Sequence, residues 1–224
     1  MLFLIASRND TGEQMNNFVQ QLNDDLAANV EHARRSLVEI RNGHGGAGAG
    51  IIVRSDGLII TNAHVIGRRG LRATLPDGQT LPARLVAYDR EHDLAALAVD
   101  ASNLPAVELG DSKNLQPGQW VMSVGHPWGV TGAVTAGIVI AVGADLPEFN
   151  TGGREFVVAS LHMRPGHSGG PMLDSEGKLV GVNVMINGPD VGMAIPVHVV
   201  KSFLKELGDV QAARQPQRVE SMMV

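Results

Sequence analysis

Beyond Ser36 the apolar residues of this chain come in short runs of Val, Ile and Leu, stopped by turn chemistry at Ser55-Asp56-Gly57, Pro76-Asp77-Gly78 and Asp174-Ser175-Glu176-Gly177. Runs too short for helices, rich in β-branched residues and closed by Gly-containing turns, are strands. Many such strands at close spacing curl into barrels. The predicted fold class is therefore all-β, with a first β-barrel over residues 36–115 and a second over 116–195.

Helical periodicity is confined to the two ends. Met15, Phe18, Val19, Leu22, Leu26 and Val30 recur every three or four residues, and Thr11 with Gln14 fits a capping box. Residues 1–35 are thus read as an N-terminal segment with an amphipathic helix whose stripe packs onto the body, the common use of such a stripe. Pro196 suits a helix start, Val199, Val200, Phe203, Leu204 and Leu207 give an apolar face, and Gly208 ends it. This sets a C-terminal helix at 196–208 and a mobile tail at 209–224.

Three distant segments, Thr61-Asn62-Ala63-His64, Asp93-Leu94-Ala95 and Gly166-His167-Ser168-Gly169-Gly170-Pro171, supply a base, an orienter and a nucleophile. A serine hydroxyl is too weakly acidic to attack a carbonyl unaided. A histidine must take its proton, and a carboxylate must hold that imidazole in the right tautomer. The catalytic candidates are His64, Asp93 and Ser168. Glycines beside the serine let the backbone N–H groups of Gly166 and Ser168, with that of His167 between them, form an oxyanion hole. The order His, Asp, Ser differs from that of hydrolases built on a nucleophile elbow, and from subtilisin order. The implied activity is that of a serine endopeptidase.

From about Ser36 to Leu207 these segments, with Gly48-Ala49-Gly50-Ile51-Ile52, Gly125-His126-Pro127-Trp128-Gly129 and Gly192-Met193-Ala194-Ile195-Pro196, follow the order seen in HtrA (Deg) trypsin-like serine proteases, which the chain resembles. The resemblance implies two six-stranded antiparallel β-barrels of chymotrypsin type, flanked by the two helices. It also implies cleavage of unfolded or extended polypeptides in protein quality control, without cofactor. A homo-oligomer, a trimer in this family, and an extracytoplasmic or periplasmic location follow from the same likeness. Family members usually continue into a peptide-binding PDZ domain, and the protease domain alone is expected here.

By the same likeness, Val184, Met185 and Ile186 form the strand on which an extended substrate lies. Leu161, His162 and Met163 line, with Ile186, the pocket for the residue before the scissile bond. Apolar walls without an acidic base favour aliphatic side chains, with His162 a departure from the small residue expected. His167 stands where trypsin-like zymogens carry an aspartate that pairs with a new N-terminus, an ion pair a histidine cannot make. Ordering of residues 161–167 is therefore expected to gate activity, and protonation of His167 would bear on the donors beside it. A loop collapsed at rest would leave the alternative, a catalytically weak binding or holdase module.

Composition narrows the partners. The formal net charge is −5, and the basic pairs Arg34-Arg35 and Arg68-Arg69 are scattered, so no nucleic-acid surface is expected. With no cysteine there is neither a disulfide framework nor a thiolate nucleophile. The eight histidines fall in unrelated segments without a His-Glu-x-x-His pair, so no catalytic metal is expected. Glycines 43, 45 and 48 satisfy GxGxxG but lead into a strand, against a dinucleotide site. The apolar start Met1-Leu2-Phe3-Leu4-Ile5-Ala6 is too short for a signal peptide or membrane helix.

Overall fold

Strands β1 (Leu37–Arg41), β2 (Ala47–Arg54) and β3 (Leu58–Asn62) set the pattern of the first half, each pairing antiparallel with the next. The computed structural model describes residues 6–43, 47–67, 70–145, 151–186 and 190–214. The extreme N-terminus, residues 44–46 of the glycine loop, Arg68-Arg69 and the tail beyond 214 lie outside the described residues. Alternation sends successive side chains of β2 and β3 to opposite faces: Ile52 and Ile59 enter the first barrel, whereas Ile51 and Ile60 face the second half. The central residues of both strands, Ile51-Ile52 and Leu58-Ile59-Ile60, are therefore apolar on both faces. At the turn between them Gly57 has φ +92°, and a Cβ there would lie 2.3 Å from the Val99 carbonyl oxygen, so only glycine fits.

Strands β4 (Arg72–Thr74), β5 (Thr80–Pro82), β6 (Arg84–Asp89) and β7 (Leu94–Ala98) complete a sheet in the order β5-β4-β1-β2-β3-β7-β6. This is seven strands in a curled sheet rather than the expected closed six. The two edge strands, β5 and β6, are consecutive in the chain and separated only by Ala83. Pro82 has no N–H to offer a ladder, and Ala83 N–H extends the β4–β5 register by one pair, donating to the Leu71 carbonyl (3.0 Å). Residues 80–89 thus act as one bent strand serving both edges, and the chain itself bridges the gap.

The second half is a closed six-stranded barrel, β10-β13-β12-β11-β8-β9. It comprises β8 (Trp120–Gly125), β9 (Ala133–Gly143), β10 (Phe156–Ser160), β11 (Pro171–Leu173), β12 (Leu179–Ile186) and β13 (Val191–Pro196). Val121, Val139, Val157, Met172 and Val180 fill it. Between the halves lies a third apolar layer of Ile51, Ile60, Leu94, Val124, Leu173 and Val182. Helix α2 (Val197–Arg214) adds Val200, Phe203 and Leu207 to that layer.

Both helices depart from expectation. Helix α1 (Ala6–Arg34) begins before Thr11, which is therefore no cap. Only its last turns dock: Ala33 is fully buried, Asn29 Nδ2 donates to the Ser175 carbonyl (2.7 Å), and Arg34 Nε donates to the Gly132 carbonyl (2.8 Å). The stripe packs onto the body only at its C-terminal end, where Leu26 and Val30 are half-buried; Met15 and Phe18 are 62% and 64% exposed. Helix α2 continues through Gly208 to Arg214, six residues into the segment expected to be a tail. Gly208 is not left-handed and so does not terminate the helix as a C-cap glycine would.

Gly208→Ala, with no heavy atom within 4 Å of the new methyl, should raise stability by roughly 0.5–1 kcal/mol. Gly137→Ala in β9 would place its Cβ 1.7 Å from the Ser160 carbonyl oxygen and should cost about 1–3 kcal/mol or more. Thermal unfolding of the two variants beside the parent checks both signs.

Candidate active site

His64 lies just beyond β3 in a 3-10 turn, Ala63–Val65, that is tied to Asp93 from several sides. The Asp93 carbonyl accepts from Ala63 N (3.0 Å) and Asn62 Nδ2 (3.2 Å). Asp93 itself has φ +56°, a left-handed backbone uncommon outside glycine but more accessible to aspartate. The preceding turn is braced by Asp89, whose carboxylate oxygens engage His92 N (3.1 Å) and His92 Nδ1 (2.7 Å). The Asp93 carboxylate meets His64 twice: Oδ1 accepts from His64 N (2.9 Å), and Oδ2 lies 2.7 Å from His64 Nδ1. A carboxylate at Nδ1 selects the tautomer with Nδ1–H, leaving the Nε2 lone pair free. Half of the imidazole is exposed (49%), while the Asp93 side chain is shielded (18%).

The serine comes from the other half and is seated on the same two strands. The Ser168 carbonyl accepts from Ala49 N of β2 (2.8 Å). Gly169, φ +82°, lies so close that a Cβ would be 2.1 Å from the Ala49 carbonyl oxygen and 2.3 Å from Thr61 Oγ1. Thr61, three residues before His64, donates Oγ1 to that same Ala49 oxygen (2.7 Å). On the far side Gly169 N donates to the Asn183 carbonyl (2.9 Å), and Asn183 N donates to Gly170 (2.9 Å). Asn183 Nδ2 donates to the Pro171 carbonyl (3.0 Å). Sequence reading missed this clamp, although a lone amide within Val182-Asn183-Val184 was its signal. Ser168 Oγ donates weakly to the Val184 carbonyl (3.4 Å), and among the described residues no hydrogen bond joins it to His64. Catalytic hydrogen bonds of an unliganded site are commonly this loose.

Three donors were expected in the oxyanion hole, but the His167 N–H is engaged, donating to the Arg164 carbonyl (3.0 Å) to close the turn. Among the described residues the Gly166 and Ser168 N–H groups have no acceptor, which leaves two donors beside the serine.

The pocket residues also sort differently from expectation. Leu161 and Met163 are buried in the second barrel's core, their side chains against Gly192 of β13. His162, between them and facing the opposite way by alternation, is 40% exposed, with Nδ1 2.7 Å from Asp190 Oδ1. This carboxylate, on the residue before β13, could not be placed beside His162 from sequence spacing. Val184 is buried at a bulge in β12, and Met185 and Ile186 pair with Met193 and Gly192; their side chains lie outside the described residues.

Two further imidazoles lie close to the loop. His126 N donates to the Gly166 carbonyl (2.9 Å), and His167 is 3% exposed. Burial holds both rings' pKa values below the ordinary histidine range.

A two-half β fold with a carboxylate-held histidine at the end of β3 and a glycine-bounded serine seated on β2 and β3 has the arrangement of a trypsin-like peptidase. Residues 48–182 match the trypsin-like peptidase domain family, and the chain belongs to it. Its relatives are of HtrA/Deg type. It is 38% identical over 167 residues to a Synechocystis protein named as serine protease HhoB, covering 72% of this chain and 40% of that one. It is 40% identical over 170 residues to a Halomonas elongata protein named as a DegP-like periplasmic serine endoprotease, covering 71% and 35%. The chain thus spans two fifths or less of those relatives. Among solved structures it is similar to the HtrA-type protease AlgW with a tripeptide, with TM-score 0.74 and 32% identity, covering 81% of this chain and 63% of that one.

Removing the Thr61 hydroxyl should loosen the seat of the serine loop. Thr61→Val is expected to cost about 1–3 kcal/mol of stability, read by chemical denaturation, because it deletes a buried hydrogen bond to the Ala49 carbonyl.

Proposed function

We propose that this chain is a serine endopeptidase that hydrolyses extended or unfolded polypeptides through an acyl-enzyme, with Ser168 as nucleophile, His64 as general base and acid, and Asp93 as its orienter. The observation that carries the reading is the two-point grip of Asp93 on His64, 2.9 Å at the backbone and 2.7 Å at Nδ1. It leaves Nε2 as a base directed by geometry rather than by chance. His64 takes the Ser168 proton as Oγ attacks the peptide carbonyl, then delivers it to the departing amine; water repeats the cycle on the ester. The carbonyl oxygen, negative in the tetrahedral intermediate, is received by the Gly166 and Ser168 N–H groups.

The polypeptide adds as a strand beside Val184, Met185 and Ile186, where backbone hydrogen bonding tolerates many sequences. Polypeptide cleavage fits the names of the relatives, and the periplasmic naming of the DegP-like one supports an extracytoplasmic location. The exposed Met15, Phe18, Val19 and Leu22 of α1 support a homo-oligomer, with a trimer as the form suggested by resemblance. Sedimentation of the parent and of Phe18→Asp tests it: a trimer that dissociates in the variant agrees, and a monomeric parent defeats it.

The decisive experiment is labelling by a fluorophosphonate with the adduct located by mass spectrometry. Labelling confined to Ser168 and lost in Ser168→Ala is expected. No labelling of the parent would overturn the reading in favour of a binding or holdase module. On casein, Ser168→Ala should remove measurable turnover, and Asp93→Asn should lower kcat by roughly 10⁴-fold by presenting the wrong histidine tautomer.

A further inference from the structure

Beneath the serine loop two imidazole nitrogens are buried without a partner, Nε2 of His167 and Nε2 of His126. Buried polar atoms are nearly always paired, so two orphans on neighbouring rings require a reason. The backbones that carry the two rings are tightly packed together. A Cβ on Gly125 would lie 2.6 Å from His167 Cα, and a Cβ on Gly166 would lie 2.6 Å from the His126 carbonyl oxygen. Residues 125–127 are therefore in van der Waals contact with the peptide that carries the Gly166 donor. The contact is fixed by His126 N–H donating to the Gly166 carbonyl (2.9 Å).

The chemistry of His167 depends on its proton. Its Nδ1 lies 3.1 Å from both the N and the carbonyl O of Arg164. A neutral ring can accept the Arg164 N–H at Nδ1. A protonated ring cannot, because both nitrogens then carry hydrogen and the Arg164 N–H loses its acceptor. Charging also buries a cation beside His126, whose charge opposes it.

We propose that His126 and His167 are positioning residues for the oxyanion loop and hold it in working shape only while both are neutral, so that acid releases the loop separately from protonating His64. This rests on the protease reading above. Burial is the main cause depressing both rings' affinity for a proton, and the charge of His126 further disfavours one on His167. The surroundings of His126 include Glu39 from β1, which favours its charge but is paired with Arg41 (3.0 Å), and Arg34 from α1, which is paired with Glu31. His126 borders a cavity of about 380 Å³ shared with Arg34 and Glu39, a route by which water delivers the proton.

The sign follows from linkage. Both folded pKa values lie below the ordinary value of about 6.5, so below that pH the unfolded chain binds more protons than the fold. The contribution to stability is complete above about pH 6.5 and is lost as pH falls through the depressed folded values.

The test compares Ser168→Ala with the same protein also carrying His126→Asn and His167→Asn, by thermal unfolding from pH 8 to pH 4.5. The parent Tm should fall by at least about 3 °C more than the triple variant's across the acid half of that range. In active protein, the acid limb of log kcat/KM should approach a slope of two, and a slope of one when His126→Asn and His167→Asn are combined. Equal Tm curves, or a parent slope of one, would overturn the proposal. Should the triple variant not fold, NMR titration of the parent's histidine rings decides: values for both rings below 6.5 support the pair, and values at or above it reject it. Absence of turnover at every pH would defeat the protease reading, while the unfolding comparison would still judge the pair.

Discussion

The hydrogen bond from Ala49 N–H to the Ser168 carbonyl is the seam on which the molecule's chemistry depends. His64 and Asp93 belong to one half of the chain and Ser168 to the other, so no local geometry can bring them into register. The seam does so by using one strand pair twice. β2 and β3 line the apolar layer between the halves, carry His64 at the end of β3, and receive the serine loop through Ala49 and Thr61. A displacement of either half must break this bond or press Gly169 into β2, and a packed interior admits neither cheaply. Precision at the site is thus inherited from the packing of Ile51, Ile60, Val124 and Val182 rather than from the loop.

Asp93 shows the complementary device, strain held in place by hydrogen bonds. Its left-handed backbone is unfavourable by itself and persists because its carbonyl and carboxylate are each engaged at two points, by Ala63, Asn62 and His64. The same bonds that stabilise the conformation aim the carboxylate. Rigidity around the histidine therefore contrasts with the serine side, where Ser168 Oγ makes only a long bond to Val184.

Much of this was legible in the sequence. Turn residues and short apolar runs mark barrels, because glycine at positive φ and period-two burial leave local traces. The bent strand at Pro82-Ala83 was not legible, since it changes the count of strands without changing their pattern. His64, Asp93 and Ser168 stood out through their neighbours. Asp190 and His126 did not, because what brings them to the loop is the closure of the second barrel, a contact with no signature in spacing. The helix ends were misread for separate reasons: periodicity reports a helix but not how much of it finds a partner, so the stripe at Met15 and Phe18 reads alike whether buried or bare, and Gly208 ends a helix only where its backbone turns left-handed.

The bent strand carries a last consequence. In most sheets an edge is a place where the chain stops pairing; here the two edges belong to one continuous backbone, and the integrity of a surface rests on the single peptide around Ala83. A nick there would spare every ladder in the sheet yet create two unpaired borders, the raw material of strand-to-strand aggregation. A proline at the bend, with no N–H to offer an incoming strand, is a chemical safeguard as well as a geometric one.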